Sequence, residues 1–180
     1  EETLSAIKKW RLDAVSALPA TLGYIKKHRR EPLTETEVWK GVLSELLRES
    51  NPSSIRKSSA KEEVEDRFQA AARLAAVMSL AGIEEVCDDE QAGIFRVDDL
   101  ISIPNESDRR LRRAAREALR TTMFQNGRFA QQHIREWMCA FGLANISLNR
   151  LKALVTNEDG NLSARQIGVL SLLPTVSRFG

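Results

Sequence analysis

Residues 128–144, RFAQQHIREWMCAFGLA, decide how this chain is read. At a period of 3.6, Phe129, Ala130, Ile134, Trp137, Met138 and Phe141 fall on one face, the pattern of an amphipathic helix that buries one side. Gly127 punctuates its start, and the turn Gln125-Asn126-Gly127 separates it from a basic helix upstream. The spacing predicts a core helix over Phe129–Phe141, with Glu136 as its one carboxylate.

Upstream, from Asp108 onward, Leu111, Ala114, Ala115, Ala118 and Leu119 share a helix face. Arg109, Arg112, Arg113, Arg116 and Arg120 line the opposite one. Residues 83–107 lose helical periodicity: Cys87-Asp88-Asp89-Glu90 reads as an acidic turn and Ile94–Val97 as a short strand. The carboxylates of residues 84–90 match no calcium loop, because the spacing and the required glycine are missing. Before them, Ser59 and Glu62 form a capping box that opens a helix bearing Val64, Phe68, Ala71, Ala75 and Met78. Its second half, AAARLAAVMSLAG, is small and apolar almost all round, so it is expected at the centre of the fold, with Gly82 as its stop.

Residues 51–60 are polar and read as a loop or linker. Ahead of them, Thr34 and Glu37 form a second capping box, with Leu33 and Val38 as a hydrophobic staple. Val38, Trp39, Val42, Leu43, Leu46 and Leu47 follow as a wide apolar stripe. Nearer the N-terminus, residues 3–17 are expected to be helical, with Leu4, Ile7, Ala14 and Val15 inward. Pro19 ends that helix and can begin the next, with Leu22 and Ile25 inward and Lys26, Lys27, Arg29 and Arg30 near its C-terminal end, where cations complement the helix dipole. His28 in this run reads as a surface residue. Downstream of the organising helix, Ser147–Val155 and a segment capped by Ser163 and Gln166, with Ile167, Leu170 and Leu173 inward, make a pair of short helices. Such a pair resembles the first unit of an α-solenoid.

The fold expected is therefore mainly α, with at most one small sheet of short strands between residues 83 and 130. Three units follow: a helical subdomain over 1–58, a winged-helix-like domain over 59–145, and the first helices of a helical-repeat region over 146–180.

Composition sets broad bounds. The chain has 180 residues, 42% hydrophobic and 29% charged, with a formal net charge of +2, ordinary values for a globular protein. No run approaches the roughly 18 apolar residues of a membrane span. The chain opens on Glu-Glu-Thr rather than Met, so it is expected to be part of something longer. Cys87 and Cys139 lack a CxxC spacing and fit thiols in a reducing cytosol. No GxxxxGK[ST] loop is present, and His28 and His133 are too few and too isolated for zinc. No serine or cysteine is paired with a histidine as an activated nucleophile. Catalysis by this chain alone, and a metal or cofactor bound by it, are therefore not expected.

The run F-x-x-x-x-x-x-E-W-M-x-A (Phe129–Ala140), after an Arg-rich helix ending in TTMFQNGR, resembles the winged-helix region of NACHT-like STAND proteins, multidomain signalling NTPases. In that family a helix reads roughly F-x-H-x-x-x-x-E-[FYW]-L-A-A. Phe129, Glu136, Trp137, Met138 and Ala140 take matching positions. Gln131 stands where many members carry histidine, and His133 follows two residues later. SALPATLGYI (Ser16–Ile25) looks like the family's small-x-P-x-x-L element after the nucleotide-binding core. LTETEVWKGVLSELLRES (Leu33–Ser50) resembles the next helix of the helical subdomain, and RFQAAARLAAVMSLAG (Arg67–Gly82) the first winged-helix-domain helix. The order of these elements is the family's order.

The resemblance implies a lid over an upstream P-loop domain that binds ATP or ADP with Mg. It implies that Pro19 borders the nucleotide base, that Gln131 or His133 faces the phosphates, and that Phe129, Glu136 and Trp137 belong to a switch helix. Partners would be that nucleotide-binding domain and further copies of the same protein, in the cytoplasm; in prokaryotes such proteins often serve in antiviral defence. Two other classes compete on the residues. A winged-helix nucleic-acid module would use the arginines of residues 109–120 to track phosphates. The near-neutral chain and the flanking Asp98, Asp99, Asp108 and Glu117 argue against it. A helical interaction module would dock the same face on an acidic partner.

Overall fold

The computed structural model describes residues 2–16, 18–49, 61–88, 94–100, 106–144 and 146–156, and among them helix dominates. The expected capping box of Ser59 and Glu62, the linker 51–60 and the second helix of the C-terminal pair lie outside the described residues.

The first helix is shorter than its periodicity suggests. α1 spans Glu2–Lys9 and stops because Arg11 takes a left-handed backbone (φ 53°), which a helix cannot accommodate. The turn drives Trp10 and Leu12 into the core and leaves Leu4, expected inward, 64% exposed. A 3-10 turn at Asp13–Val15 leads to α2 (Pro19–His28), which Pro19 opens from its first position. Glu2 ties the two helices by receiving hydrogen bonds from Arg29 (2.9 Å) and Arg30 (3.2 Å). His28 is more engaged than a surface residue: its ring lies 4.4 Å from that of Tyr24, and Nδ1 is 2.8 Å from Glu31.

α3 (Glu35–Arg48) begins as its sequence dictates. The Thr34 hydroxyl accepts from the Glu37 N–H while the Thr34 N–H donates to the Glu37 carboxylate (2.8 Å), and the whole Val38–Leu47 stripe is buried. α4 (Lys61–Ala81) is the central element. Val64, Phe68, Ala71, Ala72, Ala75 and Ala76 face a large core shared with α1–α3 and α7, while Ala70, Leu74 and Met78 face a smaller one on the other side. Its end is fixed by an Ile83 N–H bond to the Met78 carbonyl (2.8 Å) across Gly82.

Beyond α4 come β1 (Val86–Cys87) and β2 (Phe95–Arg96), which pair in parallel, then a single turn α5 (Val97–Leu100) and the basic helix α6 (Glu106–Ala118). β3 (Phe124–Gln125) and β4 (Arg128–Phe129) form an antiparallel hairpin. The strands thus make two two-stranded sheets, not one. Asn126 (φ 51°) and Gly127 (φ 75°) are both left-handed, the geometry of a type I′ turn. A Cβ on Gly127 would fall 2.0 Å from the Val86 carbonyl oxygen, and the Gly127 carbonyl accepts from Val86 N–H (3.0 Å), so glycine lets the hairpin seat on β1.

α7 runs from Gln132 to Leu143. This corrects the reading of Phe129–Phe141 as one helix: the hairpin claims Arg128 and Phe129, and Ala130 bonds back to Met123 (2.9 Å) instead of entering the helix. α7 packs most extensively on α4. At Gly142 a Cβ would meet the Ala72 carbonyl oxygen at 2.4 Å, so the two helices approach as closely as glycine allows. α8 (Leu148–Val155) follows. The boundary expected at 58/59 falls outside the described residues, and the helices on its two sides share one continuous apolar core.

Candidate functional site

The head of α7 gathers three of the singled-out residues. Gln131 is the residue before the helix, in extended backbone (φ −149°, ψ 149°), and its side chain caps nothing. Its Oε1 is buried and finds no hydrogen-bond partner among the described residues. His133 is exposed and lies 3.2 Å from Glu136, which also accepts from Gln132 Nε2 (3.0 Å). Glu136 is thus held by its own first turn. Pro19 sits exposed at the start of α2, and no hydrogen bond, ion pair or ring contact among the described residues joins it to Gln131 or His133.

Trp137 is buried and stacks on Trp39 of α3, ring centroids 5.1 Å apart and planes 17° apart. Phe141, one turn on, meets Phe68 of α4 edge-on at 5.2 Å. Phe129, from β4, contributes to the same region differently, packing on Phe124 across the hairpin at 4.3 Å.

The expected face of α6 is present: Ala114, Ala115 and Ala118 are buried, and Arg109 and Arg113 are exposed opposite them. The arginines are not an open basic stripe, however. Arg116 lies between Asp88 (3.2 Å) and Asp98 (2.6 Å), and Arg120 reaches Asp88 at 2.6 Å. Arg113 meets Glu117 at 3.3 Å, and Arg112 also has a partner. The acidic residues after α4 therefore act as counter-ions rather than ligands: Glu84 takes Arg135 (2.8 Å), Glu85 takes Arg128 (2.7 Å), and Asp88 takes α6. Among the described residues no cluster of histidine, cysteine and carboxylate could hold a metal ion, and no helix is long and apolar enough to cross a membrane.

Sequence reasoning passed over two buried arginines. Arg67 of α4 donates to the Leu47 carbonyl (3.0 Å) at the end of α3 and to Glu117 of α6 (3.3 Å). Arg135 of α7, only 8% exposed, donates to Ser79 Oγ (3.2 Å), the Ile83 carbonyl (2.9 Å) and Glu84 (2.8 Å) at the end of α4. Arg67 thus satisfies a carbonyl that the end of α3 leaves without a partner, and Arg135 holds the segment just after α4. The available signal was spacing: Arg135, Cys139 and Gly142 lie on one α7 face, and the two small residues mark it as a close contact. Beside them the Cys139 thiol is pushed up to about 11 by burial. A scan against protein-family models matched none, and comparisons with curated proteins and with solved structures returned no match.

Proposed function

We propose that this chain is the regulatory helical and winged-helix lid of a STAND-type signalling NTPase. It couples the ATP or ADP state of an upstream P-loop domain to activation. The observation that carries the reading is one joint: α7, just after the β3–β4 hairpin, is clamped by Trp137 on Trp39 to the α3 unit that precedes α4. The element order α4, β1, β2, α5, α6, β3–β4, α7, with a hairpin between the last two helices, supports it, as does the order of the sequence elements from Ser16 to Phe141. A lid that answers nucleotide contacts must turn as a rigid body about a hinge, and a stacked aromatic joint gives it that stiffness. The head of α7, with Gln131 and Glu136, is the surface turned toward the nucleotide domain.

The nucleic-acid alternative relies on arginines that Asp88, Asp98 and Glu117 already neutralise, which weighs against it. The deciding experiment is to determine the coding sequence immediately upstream of Glu1. A GxxxxGK[ST] loop followed by a strand ending in acidic residues is the expected result; an upstream region without one overturns the proposal.

A further inference from the structure

The two sides of α4 are built differently. The side shared with α1–α3 and α7 contains Trp10, Trp39, Trp137 and Phe68, all buried. The other side is smaller: its buried members are Ala70, Leu74, Met78, Ile83, Val86, Val97, Ala114 and Ala115, and the partly buried Leu100, Leu111, Leu119 and Phe129 pack against them, so it has no fully buried aromatic residue. Three of those eight buried residues are alanines, so the described residues between 84 and 118 bury less apolar area against α4 than the aromatic side does.

One backbone bond, from Val86 N–H to the Gly127 carbonyl (3.0 Å), ties β1 to the hairpin, and charge adds to it at the rim. Four ion pairs cross from this lobe to the body: Arg110–Asp66 (2.6 Å), Glu117–Arg67 (3.3 Å), Glu85–Arg128 (2.7 Å) and Glu84–Arg135 (2.8 Å). Arg116 of α6 pairs with Asp88 and Asp98, and Arg120 just beyond α6 pairs with Asp88, so the segment after β1, α5 and α6 are tied directly to one another as well as to α4. The lobe joins the chain at Gly82, left-handed and exposed, and at Thr121, whose hydroxyl donates to the Ala118 carbonyl (2.6 Å).

From this geometry we infer that the described residues between 84 and 118 form an electrostatically latched lobe. It opens from α4 and the hairpin as one unit, while the aromatic body of α1–α4, the β3–β4 hairpin and α7 stays closed. The four rim pairs are the latch, and Gly82 and Thr121 are the pivots. The inference does not depend on a nucleotide-binding partner. Because each of the four latch pairs has a partner at least partly open to water, ionic strength controls it: such pairs weaken as the screening length shrinks from about 10 Å at 0.1 M to about 3 Å at 1 M salt. Cooperative local opening of this kind is read by amide exchange.

The test is hydrogen exchange, followed by mass spectrometry, on the whole chain in low and in 1 M sodium chloride. The expected result is that α6 and β1 exchange on the order of tenfold faster at high salt while α3 and α7 are unchanged. Asp66→Asn with Glu85→Gln should give the same selective gain at low salt. Glu2→Gln, which breaks the α1–α2 pairs instead, should leave α6 unaffected. If α6, α3 and α7 accelerate together, the chain opens as one unit and the latch does not exist. If salt changes none of them, the rim pairs do not control the lobe, and the inference fails equally.

Discussion

Trp39 of α3 and Trp137 of α7 lie face to face, 5.1 Å between ring centroids, although 98 positions separate them in the chain (137 − 39 = 98). The stack joins the helices before α4 to the helix after the hairpin, and both rings are buried. The two sequence stripes that look most like separate units are thus parts of one core.

Truncation at this joint should be severe. Trp137→Ala removes a buried aromatic and should cost about 3–5 kcal/mol, a large share of the roughly 5–15 kcal/mol margin of a typical domain. Urea unfolding would show the midpoint falling accordingly. A loss below about 1 kcal/mol would mean that the stack is peripheral.

Arg135 should be nearly as sensitive for a different reason. Arg135→Ala leaves the buried Ile83 carbonyl without its donor and Glu84 without its partner. Breaking a buried, hydrogen-bonded charge typically costs about 3–5 kcal/mol, and the exposure of Glu84 places this case at or below the lower end. Equilibrium unfolding of the variant, beside Arg128→Ala as a surface-pair control, should separate the two clearly. Equal losses would reduce Arg135 to an ordinary surface pair.

The thiols should differ in reactivity. Burial holds the Cys139 proton, with its ionisation pushed up to about 11, whereas Cys87 is partly exposed. Thiolates are the nucleophiles, so a thiol reagent at mildly alkaline pH should label Cys87 in the native chain and Cys139 only after denaturation. Labelling of both at equal rates in the native state would contradict the packing of α7 on α4.

The cap of α3 should appear in the pH dependence of stability. The Thr34 N–H, and then its hydroxyl, hold the Glu37 carboxyl below its ordinary 4.5. A carboxyl depressed in the folded state stabilises it fully above the unfolded value and loses that contribution as pH falls through the lower folded one. The stability gap between the wild type and Glu37→Gln should therefore be constant from neutral pH down to about 4.5 and close below it. A gap unchanged across the acid range would show that the carboxylate is not bound to the cap.

Legibility in the sequence followed the range of the forces involved. The α3 cap and stripe, the all-round burial of α4 and the buried alanine face of α6 are local or periodic features, and they read directly from spacing. The start of α7 did not, because the apolar period runs backwards through Phe129 without a break. The Asn126-Gly127 pair was the stronger signal, since a type I′ turn requires strand on both sides. Trp10 and Leu12 were missed because a single left-handed residue, Arg11, ends α1 with no proline or glycine to announce it. The ionic partners were the least visible. Nothing local links Asp88 to Arg116, or Glu84 to Arg135, until the fold brings them together.

The proposal that α7 is the lever of a nucleotide-responsive lid is tested most directly at its head. Gln131 caps nothing with its side chain, and Glu136 is held only within its own turn, so neither supports the core. In the full-length protein, basal ATP turnover and self-association should be measured for Gln131→Ala and Glu136→Ala beside melting temperature. The account predicts a shift in turnover or assembly while the melting temperature barely moves. Normal folding with turnover, nucleotide affinity and oligomeric state all unchanged in both variants would contradict it and leave this helix a part of the core alone.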